Sequence, residues 1–467
     1  MTTPPLAGGT AGPDGLRPLL EVVLDALHDG AAERGGPFPA GGPGGVGARL
    51  REAVEPVLPE QGIGAGEALR SLVHAVAQGS ADPADPLCVA HLHNPPLALA
   101  VAADLAGSAL NPSMDSWDQA PAASELEALL TRTLAAEVYP RAPAPDALVT
   151  TGGTESNQLG LLLARERHGA VQVLCGEDTH HSVRRGAWLL GLPEPVTVPQ
   201  RPGALDAALT AHRGPVLVVA TAGTTDTGRI DPLPEIADLC ERHRAELHID
   251  AAYGGPLLFS TGLRPLLNGL DRAHSVTLDL HKLGWQPVAA GLLAVSDRAR
   301  LAPLGHTAEY LNADDDTRAG LPDLLGRSLR TTRRPDVLKI AVTLKALGRT
   351  GLGALVDRSC ATARDFAELV AQTPGLQLYE RPTLSTVLFR PAAATDEQTA
   401  RIRRALLTEG RAVLGRARPQ GPYGSHGQHG GPKSPLWLKA TFLNPHATPD
   451  DLKTLIGLVL AEGSAHS

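Results

Sequence analysis

Two stretches decide how this chain folds: His248-Ile249-Asp250-Ala251-Ala252-Tyr253-Gly254-Gly255 and, downstream, Ser275-Val276-Thr277-Leu278-Asp279-Leu280-His281-Lys282. Each is a short apolar run that ends in polar groups: a carboxylate and small residues in the first, a His-Lys pair in the second. Such runs, bounded by small and turn-forming residues, read as buried strands. They deliver Asp250 and Lys282 to neighbouring strand ends. Taken singly, either residue also fits an ordinary strand-end carboxylate or a surface lysine.

Working outward, residues 147–300 repeat this pattern. The apolar runs are Ala147–Val149, Val171–Cys175, Val216–Ala220, Leu247–Ile249, Val276–Leu278 and Ala290–Val295, with helices starting near Ser156, Ser182 and Pro234. That alternation predicts an α/β domain with a mainly parallel sheet, whose ligands gather at the carboxyl ends of the strands. Further on, strand-like Ser385–Arg390 and Leu436–Phe442 with flanking helices predict a smaller α+β domain. The expected division is a helical arm over 1–88, a large α/β domain over 89–350 and a small C-terminal domain over 351–467.

In the arm, Leu19, Leu20, Val23, Leu24 and Leu27 recur at helical spacing within Leu16–His28, and Ala48–Val57 and Gly66–Gln78 also read as helices. Residues 1–15 are expected to fray, and the Gly/Pro-rich stretch Gly30–Gly47 to be irregular. A short helical arm ahead of the main domain fits a segment that packs on a partner subunit. Next come a loop, His91-Leu92-His93-Asn94-Pro95-Pro96, an apolar helix over Leu97–Leu110, and a polar loop over Asn111–Gln119 before the helix Ala123–Val138. Trp117 in that polar loop either walls a ligand site or sits in a helix–helix turn.

Glu309–Arg334 is charged and long enough to be a mobile loop over a site. After it come a helix with Leu338, Val342, Leu344 and Leu347, a break at Gly351, and a long amphipathic helix to about Gln372. Pro419–Pro435 is of low complexity; its His426 and His429 read as solvated rather than metal-binding.

Composition narrows the function classes. The chain has 467 residues, a formal net charge of −8 and 43% hydrophobic residues, enough for a large core and two or more domains. Mixed, mildly acidic charge argues against a nucleic-acid binder. Cys88, Cys175, Cys240 and Cys360 form no CxxC pair, so no disulfide framework or metal site is expected and a reducing cytoplasm is the natural compartment. No secretory signal and no apolar run of membrane-spanning length is read, so a soluble protein is expected.

Successive strand ends carry complementary chemistry. Thr151-Gly152-Gly153-Thr154-Glu155-Ser156-Asn157 follows a strand and opens a helix, so its glycines, hydroxyls and helix N-terminus suit a phosphate. Alone, the turn also fits a plain helix N-cap. Glu177-Asp178-Thr179-His180-His181 offers an imidazole able to stack on a ring, and Ala222-Gly223-Thr224-Thr225-Asp226-Thr227 offers hydroxyls. Asp250 and Lys282 complete the order. Pyridoxal 5′-phosphate (PLP) needs this set: Lys282 to hold the aldehyde as a Schiff base and Asp250 to keep the pyridine nitrogen protonated.

On these motifs the chain resembles the group II PLP-dependent amino-acid decarboxylases, a fold-type-I family, over about residues 85–460. Within it, Asn111–Gln119, Ala308–Asn312, Gly326–Arg334 and Leu438–Pro445 look most like the bacterial branch acting on diaminobutyrate, lysine or ornithine. The resemblance implies a homodimer with a shared site, an amino-acid substrate and loss of its α-carboxylate as CO₂. It implies that Gly153 and Thr154 bind phosphate, His180 stacks on the ring, Asp250 pairs with the pyridinium beside Ala252, Lys282 anchors the cofactor and His281 touches the phosphate. His93, Asn94 and Trp117 are the implied substrate contacts, and Thr224 helps fix substrate or cofactor.

Two positions depart from the pattern. Asp85-Pro86 stands where the family often has His-Pro, and Leu324 falls where aromatic amino acid decarboxylases carry a protonating Tyr. An aminotransferase, a decarboxylation coupled to transamination or oxidation, or a Cβ–S lyase on the same fold therefore stays open at this point. Asp115, Asp118 and Asp314–Asp316 could attract an ammonium tail, although a solvated face also explains the acidic run.

Overall fold

The computed structural model describes residues 3–199, 201–306, 308–311, 313–419 and 434–464; His426 and His429 fall outside them. The chain opens with α1 (Gly12–Arg34), α2 (Gly42–Val54) and α3 (Ala65–Gln78). Two sequence expectations are corrected here. Helix α1 begins inside the stretch expected to fray and runs past His28, and α2 starts inside the stretch expected to be irregular. Pro13 and Pro43 sit in the first turns of these helices, where a missing N–H costs nothing. Gly30 is helical because α1 lies directly on α3: a Cβ there would come 2.5 Å from His74 O and 2.8 Å from Ala77 Cβ.

Helices α4 (Ala98–Leu110) and α5 (Pro121–Val138) lead into the large sheet. Its strands and helices are β1 (Asp146–Thr150), α6 (Gly153–His168), β2 (Gln172–Cys175), α7 (Ser182–Leu189), β3 (Val196–Thr197), α8 (Pro202–Ala211), β4 (Val216–Thr221), α9 (Leu233–His243), β5 (Glu246–Ala251), β6 (Ser275–Asp279) and β7 (Gly291–Val295). The seven strands lie in the order β1-β7-β6-β5-β4-β2-β3. Only β7 runs antiparallel to its neighbours. Strands β4, β5 and β6 are buried at every position, which explains their continuous apolar runs in place of alternation.

A short helix, α10 (Asp314–Arg318), precedes α11 (Val337–Gln372). The latter breaks at Gly348, with φ 62°, three residues before the expected Gly351. The second sheet contains β8 (Leu376–Leu378), β9 (Thr386–Pro391), β10 (Gly415–Ala417) and β11 (Trp437–Thr441), all antiparallel in the order β10-β11-β9-β8. Helices α12 (Asp396–Thr408) and α13 (Pro449–Ser464) pack against it. The two parts are joined by polar contacts: Tyr253 OH reaches Ser385 and Thr386, and Trp285 Nε1 donates to Leu443 O. Val89 spans from the arm into the second sheet, donating to Val413 O and accepting from Thr441 N. No helix among the described residues is long and apolar enough to cross a membrane.

The closeness of α1 and α3 is testable. Gly30→Ala is expected to destabilise the protein by about 1–3 kcal/mol, because overpacking outweighs the gain in helix propensity. A lowered denaturant midpoint with unchanged slope checks it.

Candidate active site

The site grows from the turn after β6. Leu280 N donates to Ala290 O at 2.8 Å and Gln286 N to Leu280 O at 3.0 Å, closing a compact loop around Lys282. Gly284 is required there, since a Cβ would lie 2.5 Å from Leu280 O. Distant segments lock the loop from outside: Asn94 Nδ2 donates to Lys282 O at 2.9 Å, and Leu97 N to Trp285 O at 2.9 Å. The Lys282 ammonium rests on buried Asp279, Nζ to Oδ2 2.8 Å.

At the end of β5, Asp250 is buried and its carboxylate is held from two sides. Ala252 N donates to Oδ1 at 3.0 Å and Asn157 Nδ2 to Oδ2 at 2.7 Å. Asn157 lies in the first turns of α6, and its other N–H donates to Ser182 Oγ at 2.9 Å. Ser182 sits 2.8 Å from His180 Nδ1, and its backbone N–H donates to the same nitrogen at 3.3 Å. Nδ1 is therefore the acceptor and Nε2 carries the proton. Burial lowers the His180 pKa, opposed by the charge of Asp250. Burial likewise lowers that of His281 against the charge of Asp279.

At the end of β1 the backbone turns at Gly152 and enters α6 with no side-chain cap, so the first N–H groups of that helix are free to meet an anion. Neither glycine tolerates a side chain. A Cβ at Gly152 would lie 2.9 Å from the His281 ring, and one at Gly153 2.9 Å from Ala252 Cβ.

One cavity of about 360 Å³ joins these ends. Among the residues singled out from sequence, Gly153, Thr154, His180, Asp250, Ala252, His281 and Lys282 line it. Four others sit elsewhere. Thr224 is buried in its turn, bonded to Thr227 Oγ1 at 2.8 Å, while Gly223 and Thr225 face the cavity. Asn94 acts on the Lys282 carbonyl; His93 and Trp117 do not line the cavity. The Trp117 loop is instead tied to Arg333, whose N–H donates to Met114 O. Among the described residues, segment 309–334 also contributes no lining residue. It is pinned by Arg327 to Asp146, Arg330 to Glu155 and buried Arg333 to Glu127.

The sequence reading missed Asn157, Asp279, Asp178, His91 and Lys439 as site residues. Asn157 and Asp279 stood inside the quoted motifs, and their burial was the absent clue. Lys439 comes from the second sheet, bonded to Asp226 at 3.0 Å and to Thr225 O, and no local pattern announces it.

The residues present fit PLP. An uncapped helix N-terminus beside closed-off glycines suits a phosphate, and Asp279 Oδ1 and Thr221 Oγ1 are buried without a protein partner beside the cavity. An amine, a carboxylate and an imidazole converge on the same space. Together with the mainly parallel sheet, they define a PLP-dependent enzyme of fold type I. Within that class, the chain belongs to the pyridoxal-dependent decarboxylases: residues 66–392 match the pyridoxal-dependent decarboxylase conserved domain.

The chain is 40% identical over 426 residues to L-2,4-diaminobutyrate decarboxylase of Rhizobium meliloti, covering 86% of this chain and 83% of the relative. It is 34% identical over 463 residues to the enzyme of that name from Acinetobacter baumannii, covering 90% and 88%. A crystal structure from Vibrio parahaemolyticus, described as the glutamate decarboxylase domain of diaminobutyrate-pyruvate transaminase and L-2,4-diaminobutyrate decarboxylase, superposes with a TM-score of 0.83. It shares 28% identity and covers 99% of this chain and 98% of that one. The chain is a PLP-dependent amino-acid decarboxylase, and the aminotransferase and Cβ–S lyase alternatives are not favoured.

Beside the cavity, half-buried Asp231 accepts from Thr221 N at 2.7 Å, and burial pushes its pKa up to about 7 in spite of that bond. A carboxyl raised on folding costs stability as pH rises from its unfolded value through about 7. Asp231→Asn, which keeps an acceptor for Thr221, is expected to raise the melting temperature of the PLP-saturated protein at pH 8 by about 2–4 °C. At pH 5 the gain should shrink towards zero. Paired thermal scans check this.

Proposed function

We propose that the chain removes the α-carboxylate of a basic L-amino acid, with L-2,4-diaminobutyrate as the preferred substrate, giving CO₂ and 1,3-diaminopropane. The state of Asp178 carries this reading. The cations nearest the cavity mouth are already paired: Arg229 with Glu380, and Lys439 with Asp226. Asp178 lines the cavity and, among the described residues, has no ion-pair partner. Burial and the charges of Asp226, Glu177 and Glu380 raise its pKa. A substrate ammonium supplies the missing partner, and an acidic side chain would be repelled. The bacterial relatives, both L-2,4-diaminobutyrate decarboxylases, support the same side chain.

The chemistry supplied by bound PLP is an electron-accepting protonated pyridine ring, which takes up the pair left as CO₂ departs. Asp250 would hold that ring nitrogen protonated, and His180 would stack on the ring. The first turn of α6, with Gly153, Thr154 and His281, receives the phosphate. Lys282 would hold the cofactor through its amine. Ala252 abuts the cofactor, Thr224 shapes the hydroxyl turn, and Asn94 steadies the lysine loop.

A homodimer is part of the proposal. Leu24 and Leu27 on α1, Leu72 and Val76 on α3, and Leu99, Val101 and Leu105 on α4 are exposed. Leu27, Leu72 and Val76 line one groove, so α1 and α3 share an apolar surface larger than scattered single residues would make. A second copy of the chain is the occupant we assign, with His93, Trp117 and segment 309–334 presented towards the partner. Free thiols at all four cysteines, three of them buried, support a cytoplasmic setting.

Holoenzyme given diaminobutyrate, ornithine, lysine, aromatic and acidic amino acids should release equimolar CO₂ and amine, fastest from diaminobutyrate. Asp178→Asn should cut kcat/KM for diaminobutyrate by about tenfold or more, the cost of removing one charged hydrogen-bond partner. Preference for an acidic amino acid would overturn the substrate assignment. By light scattering, the parent should be a dimer, and the double variant Leu72→Glu, Val76→Glu a monomer with little activity.

A further inference from the structure

Behind the cavity wall lies His248, a fully buried imidazole on β5 that lines none of the cavity. Its Nε2 is 3.0 Å from Asn157 Oδ1 and its Nδ1 is 2.8 Å from Ser275 Oγ. The proton positions follow from the acceptors. The Asp250 carboxylate can only accept when ionised, so the Asn157 amide must point its N–H groups at Asp250 and Ser182. Asn157 Oδ1 is then an acceptor, receiving Thr277 Oγ1–H at 2.8 Å and His248 Nε2–H. With its proton on Nε2, neutral His248 accepts on Nδ1 from the Ser275 hydroxyl. Every link from Ser275 through His248 and Asn157 therefore donates towards Asp250.

Two further observations show that this chain of donors is built in. A Cβ at Gly160 of α6 would lie 2.7 Å from His248 Cε1 and Nδ1, so the helix leaves this space for the ring. Burial also depresses the His248 pKa to about 4, which keeps the ring neutral and its Nδ1 an acceptor. An amide does not pass a proton along as a hydroxyl does, so the arrangement orients groups and is not a proton wire.

We propose that His248, which touches neither cofactor nor substrate, is a positioning residue: it holds Asn157 with its N–H aimed at Asp250, and so keeps the cofactor's pyridine nitrogen protonated. The proposal rests on the reading of Asp250 as the partner of that nitrogen. Without the His248 N–H, Asn157 Oδ1 keeps only the Thr277 hydroxyl, so the amide is held less firmly and its N–H shifts away from the carboxylate. Asp250 then loses a donor that stabilises its charge and the ion pair weakens.

The variants separate the roles of the two imidazole nitrogens. In His248→Gln the amide N–H replaces Nε2–H; His248→Leu supplies no donor. Ser275→Ala removes only the hydroxyl on Nδ1 and frees the ring to adopt the opposite tautomer. Holoenzymes are prepared with PLP labelled with ¹⁵N in the ring, and the ring-nitrogen resonance and PLP dissociation constant are measured. His248→Leu should move the resonance towards neutral pyridine and weaken PLP binding about tenfold, the size of one lost hydrogen bond to a charged group. Ser275→Ala should move it the same way by less, and His248→Gln should stay with the parent.

A parent-like resonance in His248→Leu overturns the proposal, as does an equal displacement in His248→Gln and His248→Leu. If His248→Leu does not fold, an unmoved resonance in Ser275→Ala overturns it. Asp250→Asn is the reference. If it leaves the resonance in place, the reading of Asp250 fails. If it alone moves the resonance, only the role of His248 fails.

Discussion

A single buried carboxamide holds the centre of this enzyme together. Asn157 uses both N–H groups and both oxygen lone pairs: Asp250 and Ser182 accept, Thr277 and His248 donate. It thereby ties helix α6, which opens at the phosphate turn, to β5, β6 and the start of α7. A buried polar group with one partner missing costs about 1–3 kcal/mol, so the amide fixes its neighbours as firmly as they fix it. Through Ser182 the same amide sets which nitrogen of His180 carries the proton. Asp250 and His180 are thus oriented by one side chain.

Around that centre, backbone meets backbone. Gly291 on β7 leaves no room for a side chain, its Cβ position being 2.4 Å from Gly152 Cα and from Thr150 Oγ1. Gly152 and Gly153 are equally closed against His281 and Ala252. The antiparallel β7, placed between β1 and β6, makes this packing possible by bringing the strand end with the phosphate turn beside the strand end with the lysine. The lysine loop is then fastened by residues far away in sequence, Asn94, Leu97 and Leu443. Asn94 and Leu97 clamp the carbonyls of Lys282 and Trp285, while the Lys282 ammonium stays at the cavity, paired with Asp279.

Electrostatics divide the cavity into zones. The inner zone pairs Lys282 with Asp279 and leaves Asp250 lining the cavity. At the mouth, Glu380 and Asp226 consume the charges of Arg229 and Lys439, and Asp178 is left over. The outer arginines of segment 309–334 do different work. They pin the described part of that segment, read from sequence as a mobile loop over a site, to α5, β1 and the first turn of α6. Sequence length and polarity describe how far such a segment reaches, and the placement of Glu127, Asp146 and Glu155 decides where it lies.

The sequence by itself determined six of the sheet's seven strands, the parallel alternation, and the positions of Lys282, Asp250, His180 and the Gly152-Gly153 turn, because period, glycine placement and strand-end chemistry are local properties; β3, two exposed residues long, has no apolar run to announce it. The arm was legible only in part: Gly30 and Gly42 read as breakers, and packing against α3 and a proline-primed first turn made their surroundings helical. Asn157, Asp279, Asp178 and Lys439 acquired their roles only in the folded chain. Asn157 carries no local mark that distinguishes a saturated buried amide from an ordinary helix residue. Lys439 and Asp226 meet across more than 200 residues. Which polar groups are buried, and which partner each finds there, is set by the three-dimensional closure of the sheet on its helices, and that closure selects the donors that serve the cofactor.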